Sequence, residues 1–523
     1  MKRFKIDHKI LAMLAAGALF VTTLTACSGT TSTSGTTSTS SPESTSASTS
    51  ITAEEAFTDK DLETGYDEAE SETITLTGSS AITDSSSVQI EGSVITIKGK
   101  GTYVFTGNLD DGYIVVDAGD SDDIRIVLKN ANITSSDYAA LYCLNADNVY
   151  ITLEDGTENL LANTGEFDSK DDNSVDGAIF AKTDLTINGS GSLIVESTAH
   201  GIVGKDDIMV TGGTVTVTSE KDGIQGKDSV SVQNADVNIT CGKDGIQSDN
   251  DEDAEKGYIY ISSGNITIDA GDDGLTAYSS LQIDDGIINI TNSYEGIEAQ
   301  NITLNGGSIS IYSSDDAINA VSPSGETMQA DSATTLVING GEINVRTEGD
   351  GIDSNGSFEM NGGTLVVMGP TKSGNGSLDV NGSAVITGGT VVMAGASGMA
   401  TNFTGASQGS MLINTGNQSE GTEICIKDSS GNEIVKVTAD CSYQTVLISS
   451  PELTAGNNYT FTAGNYEESI TLDDYISGGG SDFGPGGMMP DGAPGGMNGG
   501  DPGGMNGGDP GAFPGGGRGN RPQ

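Results

Sequence analysis

Tryptophan is absent from the 523 residues, histidine occurs twice, and only 22 Lys and Arg face 74 Asp and Glu. Each shortage excludes something. His8 lies in the N-terminal leader, so His200 is the one histidine of the remaining chain. A multi-histidine zinc site is therefore impossible, and any Ser-His-Asp arrangement must use that residue. A formal charge of −52 argues against nucleic acid as a partner, because phosphate binding is driven by Lys and Arg, and it sets the chain against anionic membrane surfaces. Without Trp, any aromatic contact to a sugar must come from the 15 Tyr or 11 Phe. Long apolar runs are missing too. The run from Ile10 to Val21 is too short to span a bilayer. What the chain does have is carboxylate and glycine, and divalent cations are the natural partners of so many carboxylates.

The first 26 residues read as an export signal, with Lys2, Arg3, Lys5 and Lys9 preceding the apolar run. Leu24-Thr25-Ala26-Cys27 resembles the bacterial lipobox, which implies a lipidated Cys27 and anchoring to the outside of the cell membrane through the lipid alone. Residues 27–53 are rich in Ser and Thr and form a tether that cannot bury enough apolar surface to fold. At the other end, 478–523 repeats Gly-Gly-Met-Asn-Gly-Gly-Asp-Pro around Met497 and Met505 and is predicted disordered. The folded body is then 54–406, followed by a capping region over 407–477.

Two glycine-marked columns organise the body. One is an acidic residue followed by Gly, often with Ile next: Asp176-Gly177, Asp222-Gly223-Ile224, Asp244-Gly245-Ile246, Asp273-Gly274, Glu295-Gly296-Ile297 and Asp350-Gly351-Ile352. His200-Gly201-Ile202 and Asp316-Ala317-Ile318 fit with one change each. The other column marks a turn before a strand, at Gly191, Gly213, Ala235, Gly264, Gly286, Gly307, Gly341 and Gly363. From the second column to the next member of the first is ten residues in all seven cases from Gly191 to Gly351. Units of ~22 residues with short alternating runs, such as Thr214-Val215-Thr216-Val217, are solenoid coils whose Val and Ile bury together. The leucine ladder of leucine-rich repeats is absent, and the short runs leave no room for a helix per coil. The expectation is an all-β, right-handed parallel β-helix of roughly ten coils with a C-terminal β cap, its glycines supplying corners of positive φ.

Two longer returns, near Asp249–Gly257 and Val321–Thr334, fall in the same corner of the coil. They read either as walls of a groove or as drifting surface loops. Acidic residues in register would stack at ~4.8 Å and repel by ~3.5 kcal/mol at an effective dielectric of 20. Calcium can turn that repulsion into cross-linking, since it takes carboxylate and amide oxygens. The densest stretch gives the candidate ligands Asp272, Asp273, Glu295, Glu298, Asp315, Asp316, Asn319, Asp350, Asp353 and Asn355, all hard oxygen donors, with Asp379 in the coil after them. Asp-Gly is also ordinary turn chemistry, so a purely structural column is the competing reading. That reading is favoured at Asp222 and Asp244, where Lys221 and Lys243 stand beside the carboxylates. Asp249, Asp251, Glu252 and Asp253 make either a second site or a solvated loop.

The Asp-Gly-Ile repeats, the acidic loop after Gly245-Ile246-Gln247, the Asp315-to-Ala320 segment and Gly349-Asp350-Gly351-Ile352-Asp353-Ser354-Asn355-Gly356 resemble a family of secreted bacterial carbohydrate-binding β-helix proteins. The resemblance runs over roughly residues 70 to 475. It implies a fold like that of calcium-dependent pectate lyases, bound calcium, and non-catalytic binding of acidic polysaccharide or cellulose. Asp315, Asp316, Asn319, Asp350 and Asp353 would lie on its calcium-rich surface, with Ala317 departing from the Asp-Asp-Gly form.

Two alternatives stand beside the binder. A lyase needs a base near the sugar's C5 proton, and Lys205 and Lys227, four residues after Gly201 and Gly223, are the candidates. A calcium-rigidified adhesin or envelope scaffold needs no sugar at all. Cys425 and Cys441 are close enough in sequence to pair in an exported protein.

Overall fold

The computed structural model describes residues 50–325 and 329–479. The leader, Cys27, most of the tether and nearly all of the C-terminal tail lie outside the described residues. Among the described residues no helix is long and apolar enough to cross a membrane.

Strands dominate, and they pair in parallel with their counterparts one coil away. Each regular coil has three: a short one such as Ile224–Gly226, a second such as Ser229–Val232, and a longer third such as Asp236–Cys241. The short strands form a 13-stranded sheet. Its register matches Ile202, Ile224, Ile246, Leu275, Ile297, Ile318 and Ile352 in consecutive coils. All seven are fully buried, as are Val215, Val237, Ile266, Ile288, Ile309 and Ile343 on the third strands. The alternating runs thus put Val, Ile and Leu side chains from successive coils into a single continuous core, and the strand spacing fixes their contact from coil to coil.

The two glycine columns have different physical origins. Gly213, Gly264, Gly286, Gly307, Gly341 and Gly363 have positive φ, as expected, and where the column carries Ala235 the preceding Asn234 takes the left-handed turn at φ 52°. The Asp-Gly column is not made of left-handed corners. A Cβ on Gly274 would lie 2.5 Å from the carbonyl oxygen of Gly296 and 2.8 Å from Ile290 Cδ1. Close approach between coils, rather than φ, requires glycine there. Ala317 keeps the register: its N–H donates to Asp350 O at 2.9 Å and its carbonyl accepts Ile297 N–H at 3.0 Å.

The parallel coils begin with Glu72–Gly78, which pairs with Gly101–Leu109. Upstream, the segment from Ser50 to Glu63 lies across the second-strand flank. The Gln282 amide bonds both the N–H and the carbonyl of Ile51, Phe57 packs with Met209 and Tyr260, and the Asp61 carbonyl accepts from Asn188 and Thr211. This strap ties together coils far apart in sequence. At the other end, Tyr443–Ser450 pairs antiparallel with both Thr390–Gly395 and Gly409–Gln418. A four-stranded antiparallel sheet from Glu423–Asp428 onward encloses a second core around Ile424, Ile426 and Phe461. Cys143, Cys241, Cys425 and Cys441 are buried free thiols, so Cys425 and Cys441 do not pair.

Candidate metal and glycan face

The acidic column sits at the entry to the short strands, where the chain turns the corner between the third strand of one coil and the next sheet. There five of the carboxylates have a fixed backbone task. Asp222 Oδ1 accepts the N–H of Asp244 at 3.2 Å, Asp244 Oδ1 that of Asp273 at 3.1 Å, and Asp273 Oδ1 that of Glu295 at 3.2 Å. Further on, Asp316 Oδ1 accepts Asp350 N–H at 2.6 Å, and Asp350 Oδ1 accepts Gly376 N–H. On these five rungs one oxygen anchors the next coil, whereas the Glu295 carboxylate accepts the Asn319 amide; the anchors explain the regularity of the Asp-Gly pairs in structural terms.

The other oxygens face a second column, three residues later on the outer side of the same sheet. Register places Gln225, Gln247, Thr276, Glu298, Asn319, Asp353 and Asp379 in one line. Gln247 Nε2 donates to Asp244 Oδ2 at 2.6 Å, and Asn319 Nδ2 donates to Glu295 Oε2 at 3.1 Å. Asn319 Oδ1 is buried and has no hydrogen-bond partner.

Carboxylate oxygens converge twice along this face. Asp316, Asp350 and Asp353 each offer one within 4.8 Å of the others, and so do Asp244, Asp272 and Asp273. Burial, then the charge of Asp316, pushes Asp350 up to about 8. Burial and the neighbouring Asp273 and Asp222 raise Asp244, and burial with the adjacent Glu298 raises Glu295. These groups resist ionising together, as like charges out of water must.

Of the residues expected from sequence, Asp272, Asp273, Glu295, Glu298, Asp316, Asn319, Asp350 and Asp353 lie along this face. Two are used differently. Asp315 lies beside the Tyr294 hydroxyl, whose proton it helps to hold. Asn355 Oδ1 accepts Ser322 N–H at 3.0 Å and its carbonyl accepts Asp331 N–H, so it pins the second insertion loop. Lysine is not excluded from the stretch, since Lys243 Nζ lies 3.7 Å from Asp272. Asp244, expected to be merely structural because of Lys243, joins a carboxylate cluster because that lysine reaches one coil on. Lys221 lies 3.8 Å from Asp176, and His200 sits between Asp176 and Asp222 at 3.5 and 2.9 Å. A third group, Asp184, Asp206 and Asp207, carried no motif. Burial is the main cause that raises Asp184 to about 6 and Asp206 to about 7.

Both insertion loops leave the ends of short strands, after Ile246–Ser248 and Ile318–Ala320. The strands Leu275–Ala277 and Ile297–Ala299 lie between them. The first loop walls a groove of about 440 Å³ over the outer column, where Asp249 and Asp251 face Thr276, Tyr278 and Glu298. Lys227 stands at its rim, 3.7 Å from Asp249 and 3.8 Å from Asp251.

Residues 91–329 match the family of carbohydrate-binding domain-containing proteins. A carbohydrate-binding domain-containing protein of Acetivibrio thermocellus is 35% identical over 122 residues, which are 23% of this chain and 43% of that protein. The chain thus spans less than half the length of that relative. A solved structure described as a polysaccharide lyase-like protein from C. thermocellum, as a gadolinium derivative, is 30% identical. It covers 45% of this chain and 92% of its own, with a TM-score of 0.40. The matched residues take in the groove, the first insertion loop and the rungs as far as Asn319.

Proposed function

We propose that this chain is a non-catalytic, calcium-dependent binder of polysaccharide, with acidic glycans such as polygalacturonate as the preferred class and cellulose as the neutral one. The observation that carries this reading is the Asp316, Asp350 and Asp353 cluster beside a buried, unpartnered Asn319 oxygen. Hard oxygens gathered where their own ionisation is disfavoured fit a calcium ion and suit no soft metal. Asp316, Asp350, Asp353 and Asn319 would hold one ion, and Asp244, Asp272 and Asp273 a second. Bound calcium supplies positive charge that offsets these carboxylates and can share the carboxylate of a uronate unit. The chain's own residues do the rest: backbone anchors fix Asp244, Asp273, Asp316 and Asp350 to their rungs, and the first loop walls the face.

The lyase reading finds little support in its two candidate bases. Lys227 is engaged by Asp249 and Asp251, and Lys205 Nζ lies 5.2 Å from the centre of the Phe180 ring. The winding of successive parallel strands is assigned as right-handed, the hand that such crossovers take in almost all proteins. The resemblance of Leu24-Thr25-Ala26-Cys27 to a lipobox supports a place on the outer surface of the cell membrane, held by lipid.

Affinity electrophoresis through a polygalacturonate gel tests the reading. Retardation with calcium and free migration with EDTA is the expected result. Free migration in both contradicts it, and a calcium-dependent melting temperature in that case would favour the scaffold. Ultraviolet absorbance from an unsaturated uronide would replace the binder with a lyase.

A further inference from the structure

The short-strand sheet carries lysines in three consecutive coils, of which Lys227 pairs with Asp249 and Asp251 and Lys182 helps by its charge to hold Asp171 below its usual range. Lys182 N–H donates to Cys143 O at 2.9 Å, Lys205 N–H to Ala181 O at 2.7 Å, and Lys227 N–H to Gly204 O at 2.9 Å. Each therefore follows its short strand at the same register position, and the three stand one rung apart at ~4.8 Å. Three ammonium groups so spaced repel one another. Lys182 and Lys205 are exposed, and among the described residues neither has a carboxylate within ion-pair distance. The aspartates that follow them point to other partners: Asp207 accepts the Ser229 hydroxyl, and Asp228 pairs with Lys256.

Lys205 and Lys227 also lean over the same outer face as the groove. Lys205 Nζ lies over the Phe180 ring, whose residue is in register with Val203 of the outer column, and Lys227 lines the groove itself. Along the solenoid the outer column runs from Phe180 and Val203, across the hydrogen-bonded amides of Gln225 and Gln247, to Glu298 and Asp353, and the acidic column beside it carries Asp176 and Asp222 in the lysine coils too.

We propose that Lys182 and Lys205 form a metal-independent pair of carboxylate subsites, which hold one stretch of a uronate polymer directly while the next stretch lies on the acidic rungs. The inference rests on the acidic-glycan reading above. A 1,4-linked uronate chain advances by about one rung per sugar, so successive carboxylates can meet successive ammonium groups. Lysine here acts as a point charge toward carboxylate, with flexible stems that adjust to either face of the sugar. The site further predicts polarity, because the polymer's contacts differ at its two ends.

The test compares the full-length chain with its Lys182→Gln/Lys205→Gln variant by calorimetric titration of polygalacturonate, in calcium and in EDTA. Calcium titration without sugar and the melting temperature serve as fold controls. A loss of about tenfold in polygalacturonate affinity in calcium, a shallower salt dependence and unchanged calcium binding are expected. Equal affinity of variant and parent overturns the lysine subsites and leaves the calcium reading standing. Parent binding that persists in EDTA and disappears in the variant supports the lysines while contradicting the calcium reading. No binding by the parent in either condition overturns both.

Discussion

Asp244 Oδ1 accepts the backbone N–H of Asp273, its counterpart one coil later, at 3.1 Å. The same relationship links Asp222 with Asp244 and Asp273 with Glu295. A carboxylate column that spends one oxygen on the next coil's backbone is structural and leaves its other oxygens for further contacts. The turn-chemistry reading of Asp-Gly and the proposed metal site are therefore compatible.

Replacing Asp350 separates those halves. With calcium absent, Asp350→Asn removes a carboxylate that resists ionising, and the melting temperature should rise or stay level. With calcium saturating, the same variant should melt below the parent, with calcium affinity down at least about tenfold, since a hard anionic ligand is lost. Paired calorimetric scans in EDTA and calcium check this. A drop of equal size in both would assign Asp350 to the fold alone.

The pH profile of the calcium-free chain follows from the same residue. Its folded-state value, about 8, lies above the ordinary 3.8. Between those values the folded chain binds more protons than the unfolded one, so stability is greatest at the acid end and falls as pH rises toward 8. Thermal melts in EDTA from pH 4 to pH 8 should show this decline, flattened in Asp350→Asn and opposed by added calcium.

Gly296→Ala tests the close approach of coils. Its Cβ would lie 2.3 Å from the Ala317 carbonyl oxygen and 2.5 Å from Ile311 Cγ2. Overpacking of this kind costs about 1–3 kcal/mol. Urea unfolding should show a loss in that range, whereas Gly325→Ala, which meets no atom within 4 Å, keeps only the penalty of its positive φ.

The strap supplies a fourth expectation. Asp61 is buried, and its carboxylate accepts the Thr186 hydroxyl and Thr58 N–H. Asp61→Ala leaves those donors unsatisfied and should cost about 1–3 kcal/mol. Hydrogen exchange should then rise at Thr186 and Asn188 while the far coils keep their protection.

Much of this molecule is legible in its sequence because a solenoid repeats its local rules. The ten-residue interval reported the coil, and the alternating Val and Ile reported which face is buried. The stacked carboxylates were visible for the same reason. What the spacing does not encode is where long side chains go. Lys243 reaches past Asp244 to Asp272, which freed Asp244 for a cluster. Asn355 turns to the Ser322 loop, and Asp315 to Tyr294. The strap left no periodic trace, because its partners Gln282, Tyr260 and Thr186 are far away in sequence and are fixed only by the stacking itself. The lysine register was half visible, in Lys205 and Lys227. Lys182 was hidden by a coil one residue longer.

Binding of acidic glycan through calcium at the Asp316, Asp350 and Asp353 rungs is decided by titrating polygalacturonate into the full-length chain and its Asp350→Asn/Asp353→Asn variant, both with calcium present. Heat of binding for the parent that EDTA abolishes, and at least about tenfold weaker binding for the variant, are expected. Equal binding by the two chains, or parent binding untouched by EDTA, would rule out calcium-mediated binding at these rungs.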